Sequence, residues 1–179
     1  VFSMAPDSGI ASLSTRVRVN AYSDVRAIAE LNDGTLFMIK RFVKASGGCS
    51  APATKNADIA RKQMGRMKLR QFAQNKPAPG QSRMHEVQIM IRHPNNSGLQ
   101  KDQLTGYYIP AHYVDTISVS RSGKSLLGIE GAISLSENPM LRFNFWSRGS
   151  EKLEVQATDT EQNVFRGDWV LTPSKKQGS

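Results

Sequence analysis

The only cysteine of the chain, Cys49, follows two glycines and lies among small residues that offer nothing to bury it. The stretch from Ser46 to Pro52 lacks the side chains of a packed element, so we expect a mobile arm. An exposed thiol can act as a nucleophile or form an intermolecular disulfide, whereas a buried one behaves as a small apolar group. The surroundings of Cys49 therefore favour a reactive thiol with a functional role. A disulfide between chains and an inert thiol are the alternatives.

Chemistry on this thiol requires the thiolate, and a free cysteine with a pKa of about 8.5 is little ionised at neutral pH. Lys44 and Lys55 flank the arm. Their positive charge favours the thiolate and attracts small anions. We therefore expect Gly47, Gly48 and Ser50 to make the arm flexible. We expect Lys44 and Lys55 to provide a positive electrostatic potential around the thiol.

The three histidines, His85, His93 and His112, are the remaining residues with obvious chemistry. None lies at a short ligand spacing from another or from Cys49, as a zinc site would require. We predict no metal site and expect His93 and His112 to satisfy backbone groups or shape a partner surface.

The positive charge of the chain is concentrated between the cysteine and the C-terminal half. The net charge is +9, and residues 49–82 contain seven basic residues against one acidic residue, Asp58. Good helix formers dominate residues 54–74, with Ala60, Met64 and Met67 on one face, which predicts a basic helix followed by a linker to residue 82. Such a helix is either a solvated face or a docking site for an acidic partner. Its single aromatic residue, Phe72, gives no stacking platform for nucleic acid.

The remainder of the chain has the patterns of β-strands. Ser12–Asn20 and Tyr22–Leu31 alternate with period 2, and Asn32-Asp33-Gly34 predicts a tight turn into a third strand, Thr35–Lys44. Six further runs alternate with turn signals, which predicts an immunoglobulin-like antiparallel β-sandwich over residues 83–175. The predicted strands are Glu86–Arg92, Tyr113–Arg121, Leu126–Leu135, Met140–Ser147, Lys152–Asp159 and Val164–Leu171.

Two parts of the chain resemble the two subunits of the SoxYZ sulfur carrier. The first resembles the C-terminal half of SoxY and comprises Ser14-Thr15-Arg16-Val17-Arg18-Val19, then Val25 to Gly34, and Gly47-Gly48-Cys49. The second resembles SoxZ and comprises Met90-Ile91-Arg92-His93-Pro94, Ser97 to Asp102, Tyr108 to Tyr113, Asn138 to Phe143, Thr158-Asp159 and Gly167. The expected organisation is a partial SoxY-like β element at residues 1–48, a cysteine arm at 45–53, the basic helix and linker at 54–82, and the SoxZ-like sandwich.

The resemblance implies a covalent carrier that is not itself an enzyme. In this family the arm cysteine is joined oxidatively to thiosulfate by a cytochrome, and other enzymes process the bound sulfur while it stays attached. Cys49 matches that cysteine. The resemblance also implies a periplasmic protein, no cofactor beyond the sulfur species on Cys49, and sulfur-oxidation enzymes, cytochromes or a quinoprotein dehydrogenase as partners. No apolar run reaches the ~20 residues of a membrane span.

Two other functions remain open at this point. A non-covalent docking module would bind an acidic dehydrogenase or cytochrome through the basic helix, with Cys49 incidental. A disulfide through Cys49 would instead join two chains into a homodimer. The hairpin around Asp33-Gly34 would expose an edge and an apolar face, so we expect it to pack on the C-terminal sandwich or on another copy of the chain.

Overall fold

The computed structural model describes residues 1–8, 11–45, 61–72, 83–147 and 150–171. Within these ranges the chain forms eleven β-strands, a short 3-10 helix, Pro6–Ser8, and a helical stretch at residues 61–63. The strands are β1 Phe2–Met4, β2 Leu13–Thr15, β3 Ser23–Glu30, β4 Leu36–Val43, β5 Met67–Phe72, β6 Arg83–Ile91, β7 Val114–Arg121, β8 Lys124–Glu130, β9 Met140–Ser147, β10 Glu151–Asp159 and β11 Val164–Leu171. The prediction of a mainly β protein is confirmed.

Two antiparallel sheets face each other and enclose the core. One has the strand order β1-β8-β7-β10-β11 and the other β2-β9-β6-β5. Alternate residues of each strand point inward, so Val87, Ile89 and Ile91 of β6 are fully buried. They meet residues such as Leu153 and Val155 from the facing sheet. This is the predicted sandwich, and its six predicted C-terminal strands all form, although β8 ends five residues before the predicted Leu135.

The N-terminal segment contributes one short strand to each sheet. Strand β1 pairs with β8, with Phe2 opposite Ile129, and β2 pairs with β9, with Leu13 opposite Phe143. The predicted strand Ser12–Asn20 is therefore shorter in the structure. The first residues of the chain are thus part of the sandwich framework.

The predicted hairpin is confirmed, but its packing on the C-terminal sandwich is not, and the alternative of packing on another copy of the chain stays a prediction. Strands β3 and β4 pair in register from Ser23 opposite Val43 to Glu30 opposite Leu36, and the Gly34 amide closes the turn on the Leu31 carbonyl. Within the described residues these two strands form a sheet of their own. Ile39 and Ile28, on opposite faces of the hairpin, are 73% and 65% exposed, so the hairpin does not pack on the part of the sandwich that the structure describes.

The predicted basic helix is wrong over its last turns. Residues 61–63 are helical, but Met67–Phe72 form strand β5, which pairs with β6 from Met67 opposite Ile91 to Phe72 opposite Glu86. The rest of the predicted helix, residues 54–60 and 73–74, lies outside the described residues. The reason is that Met67 and Leu69 pack against the core when the segment is extended, and this burial outweighs local helix propensity.

Gly65 sets the start of β5 and provides a test of this packing. Its φ is +79°, and a Cβ built on it would lie 2.1 Å from Cδ1 of Phe165. We expect Gly65→Ala to lower the free energy of unfolding by about 2–3 kcal/mol, because the substitution adds backbone strain and displaces the partly buried Phe165 ring from the core it packs against. Urea denaturation measures the loss.

The matched control is Gly123→Ala in the turn between β7 and β8. Gly123 has a similar φ of +81°, but a Cβ there meets nothing within 4 Å. Backbone strain alone predicts a loss of about 1 kcal/mol. Equal losses for the two variants would show that the Phe165 contact does not hold β5 in place.

Candidate functional site

The predicted carrier residue lies just beyond a described strand. Gly47, Gly48, Cys49, Ser50 and Lys55 fall outside the described residues. Lys44 is described, is exposed, and follows Val43, the last residue of β4. The last strand of the hairpin therefore ends six residues before Cys49.

Both faces of the hairpin carry exposed apolar side chains. Ile28 and Met38 lie opposite each other on one face, and Phe37 and Ile39 lie on the other. All four side chains are more than half exposed. Exposed apolar surface of this kind is typical of interaction sites.

Charges near the open end of the hairpin are partly paired. The carboxylate of Asp24 lies 3.3 Å from Nζ of Lys40 and 3.7 Å from the Arg26 guanidinium. Arg41 and Lys44, which are exposed and closer to the arm, have no ion pair within the described residues. The start of the arm is therefore positively charged.

A second cluster of reactive side chains lies at one end of the sandwich. His93 follows β6, His112 precedes β7, and Asp159 is the last residue of β10. Oδ2 of Asp159 lies 2.8 Å from Nε2 of His112 and 3.4 Å from Nε2 of His93. The imidazole rings are 4.7 Å apart and nearly perpendicular. The strand ends thus bring together three residues that are far apart in sequence.

Asp159 is fully buried, and nearby donors satisfy both of its oxygens. Oδ1 accepts hydrogen bonds from the backbone amides of Glu161 and Asn163, each 2.9 Å away. The side-chain amide of Asn163 donates to Oδ2 at 3.0 Å. Burial raises the pKa of Asp159, but the bonds from Asn163, His112 and His93 outweigh it and lower the pKa to about 2. The carboxylate is therefore charged at neutral pH.

His93 is neutral, and the main reason is its burial. Burial lowers its pKa, the nearby His112 lowers it further, and the hydrogen bond to Asp159 acts in the opposite direction. Nδ1 of His93 accepts a hydrogen bond from the Asn95 backbone amide at 3.1 Å. In a neutral ring the proton is then on Nε2, which donates to Asp159.

This tautomer argues against a metal ion in the cluster. His93, His112 and Asp159 offer ligand atoms within 4.8 Å of one another, a spacing compatible with a metal. Binding through Nε2 of His93 needs the lone pair that the protonated nitrogen lacks, and using it would break the bond from Asn95. The geometry favours a hydrogen-bonded network, and the absence of a metal site stays a prediction.

The N-terminal segment reaches this same end of the sandwich through Arg18. Its guanidinium donates to the backbone carbonyls of Asn95 and Leu135, the latter at 3.0 Å. Val17 forms an isolated β-bridge with Leu135. Arg18 therefore ties the segment that leads to the hairpin to the loop that contains His93.

His85 is separate from this cluster. It is buried in the core, its ring stacks on Phe145 with centroids 5.3 Å apart, and Nδ1 lies 3.1 Å from the Gln71 side-chain amide. Sequence reasoning placed His93 and His112 near strand ends but missed their shared partner, Asp159. The signal was that all three residues fall in blocks resembling one family.

Comparison with protein families gives two matches in the one chain. Residues 74–170 match the family described as Sulphur oxidation protein SoxZ, and residues 1–49 match the one described as Sulfur oxidation protein SoxY. The SoxZ match covers more than half of the chain, from before β6 to the next-to-last residue of β11. The SoxY match covers β1 to β4 and ends at Cys49. A comparison with curated proteins finds no match.

Proposed function

Since the chain belongs to the SoxZ family of sulfur-oxidation proteins and also contains a SoxY-like segment, we propose that it carries a sulfur-containing group covalently on Cys49. The observation that carries this proposal is that the SoxY match extends to Cys49 and includes the hairpin leading to it. A carrier role in sulfur oxidation is what the two families have in common. Our proposal adds two points to this shared role, namely that Cys49 is the covalent site and that the cargo is a sulfur-containing group.

The proposed loading step is an oxidative conjugation. The Cys49 thiolate and thiosulfate form a new S–S bond, and two electrons pass to an oxidising partner of the cytochrome class. The product is Cys49–S–S–SO₃⁻. Water can then release the terminal group as sulfate and leave a persulfide on Cys49, with no further change in electron count. Partner enzymes act on the group, and the carrier itself supplies no catalytic residue.

The described surroundings support a role in presenting this group. Arg41 and Lys44 place positive charge at the end of β4, where it favours both a thiolate and an approaching anion. Lys55 is proposed to do the same from the other side. Gly47, Gly48 and Ser50 are proposed to let the arm enter a partner's site as a loop, since the chain continues on both sides of Cys49.

Membership of the family supports a proposal about partners and compartment. Other sulfur-oxidation proteins are the proposed partners, with a cytochrome or a quinoprotein dehydrogenase among them, and the periplasm is the proposed location. None of the helical segments in the described residues has the length and apolar character needed to cross a bilayer.

The direct test is the intact mass of the protein before and after incubation with thiosulfate and a mild oxidant. We expect a mass increase of one S₂O₃ unit, located on the peptide that contains Cys49 and removed by reducing agent. A thiol that stays unmodified under conditions that load free cysteine would overturn the proposal. An increase equal to a second copy of the chain would point to the disulfide dimer.

A second candidate function is non-covalent docking of a partner through basic residues. The structure changes the form of this hypothesis, because two of the cations predicted on a helix, Lys68 and Arg70, are displayed by strand β5. Docking and carriage are compatible in one protein, so the two functions are separated by testing Cys49 and β5 independently.

A further inference from the structure

Strand β5 displays its cations on one face of the sandwich. Side chains alternate along a strand, so Lys68 and Arg70 point outward while Met67 and Leu69 point into the core. Arg66, one residue before the strand, continues the outward series and is exposed. Each of these three cations is two residues, and therefore about 7 Å, from the next one along the chain.

Neighbouring strands extend this positive surface. Arg92 follows β6, is exposed, and donates its backbone amide to the Arg66 carbonyl at 2.8 Å. Arg142 lies on β9, opposite Gln88 of β6. We call the five residues Arg66, Lys68, Arg70, Arg92 and Arg142 the basic strip.

Little acidic charge balances the basic strip. Glu86 is the only acidic residue in the described strands β2, β5, β6 and β9, and it is bonded to Arg142 at 2.6 Å. In the described part of the chain, Arg66, Lys68 and Arg92 have no ion-pair partner. Like charges side by side on a sheet repel each other and destabilise it. Binding of a negatively charged partner here relieves that repulsion and is therefore favourable.

The position of β5 indicates how such a partner can bind. Among the strands that the structure describes, β5 is the edge of its sheet, in the order β2-β9-β6-β5. An extended segment can add beside an edge strand through main-chain hydrogen bonds, and its alternate side chains then lie about 5 Å from those of the edge strand. Acidic residues at every second position of the segment would face Arg66, Lys68 and Arg70.

The same charges select against other occupants. A second copy of β5 would bring like charges together, which is one way proteins prevent edge strands from pairing with themselves. The Phe72 ring offers nucleic acid no free stacking surface, because Arg70 and Arg142 lie over it with their guanidinium carbons 4.8 and 4.1 Å from its centroid.

We propose that β5 is a docking edge for an extended acidic segment of a partner protein, which adds as a strand and places Asp or Glu side chains against Arg66, Lys68 and Arg70. This inference goes beyond the proposed carriage of sulfur and does not depend on Cys49. The Cys49→Ser variant of the full chain is therefore the form to use in the test.

The experiment compares two synthetic peptides of identical composition by calorimetry and by amide NMR shifts. One has glutamate at every second position with valine and threonine between, and the other has its glutamates grouped at one end. We expect the alternating peptide to shift the amides of β5 and to bind about tenfold more tightly than the grouped peptide. N-methylation of alternate backbone nitrogens, so that they cannot donate to β5, should abolish its binding.

Variants of the protein complete the design. Lys68→Glu with Arg70→Glu should weaken binding of the alternating peptide by tenfold or more, by analogy with charge reversal at interfaces. The matched control, Lys124→Glu with Arg166→Glu, makes the same charge change at exposed positions outside the basic strip and should bind normally. If the first variant does not fold, Lys68→Gln with Arg70→Gln replaces it.

Several results would overturn the proposal. Equal binding of the two peptides, or of the N-methylated one, would mean that charge alone attracts them without strand addition. Unchanged binding by the β5 variant would place the site elsewhere. Tighter binding to anionic vesicles or single-stranded oligonucleotides than to the alternating peptide would identify the strip as a surface for those partners.

Discussion

Cys49→Ser is expected to take up no sulfur adduct and to abolish turnover of thiosulfate in a reaction reconstituted with its partner enzymes. The physical reason is that the chain has one thiol, and a serine hydroxyl is not ionised at neutral pH and forms no bond equivalent to S–S. Intact mass and sulfate release measure the two effects. Thermal unfolding should be unchanged if residues 46–52 have no packing role.

A displaced thiol provides the control for this variant. Cys49→Ser combined with Ser50→Cys keeps one thiol in the same segment but shifts it by one residue. We expect it to load chemically and to support much less enzymatic turnover, because partner enzymes require a reacting atom in a defined position. Full turnover by Cys49→Ser alone would contradict covalent carriage and leave docking as the function.

The sandwich and the hairpin were predictable because their signals are local. Period-2 alternation identifies the strands, and Asn32-Asp33-Gly34 identifies the turn that joins β3 to β4. Which strands become neighbours was not predictable in the same way. The pairing of β1 with β8 and β2 with β9 depends on surfaces formed by residues more than a hundred positions away.

Strand β5 shows how tertiary structure overrides a local preference. Lys68, Leu69 and Arg70 are acceptable in a helix, and Met64 and Met67 have helical spacing. The alternation of Met67 and Leu69 with the two cations was the competing signal. Pairing with β6 buries the apolar residues and leaves the cations in contact with water. The extended form therefore meets the requirements of both kinds of residue.

The histidine cluster and the cysteine arm show two different limits of prediction from the sequence. His93, His112 and Asp159 are separated by 19 and 47 residues, and no spacing rule connects them before the strand ends are known. Cys49 was singled out by its glycine neighbours and by family resemblance, and its role stays a prediction because the arm lies outside the described residues.

Asp159→Asn is expected to lower the free energy of unfolding by about 3–5 kcal/mol, the range for breaking a buried charged network. In the native protein, three side-chain donors point at Oδ2, from His93, His112 and Asn163. Asparagine places an NH₂ group against these donors, or against the backbone donors at Oδ1 if the amide is turned. Either orientation leaves buried N–H groups without acceptors. Urea denaturation at neutral pH measures the loss.

The dependence of stability on pH separates this network from a simple packing defect. The pKa of Asp159 falls from 3.8 in the unfolded chain to about 2 in the native protein, so its charge stabilises the fold by about 2 kcal/mol above pH 4. That contribution disappears as the pH falls towards 2, and Asp159→Asn should lack this part of the acid transition. Asp168→Asn is the matched control, since Asp168 is 65% exposed and 3.4 Å from Lys152, and water screens such exposed pairs so that they contribute little to stability. If Asp159→Asn and the wild type lose stability in parallel between pH 4 and 2, another carboxylate governs acid unfolding and the two histidines do not depend on the charge of Asp159.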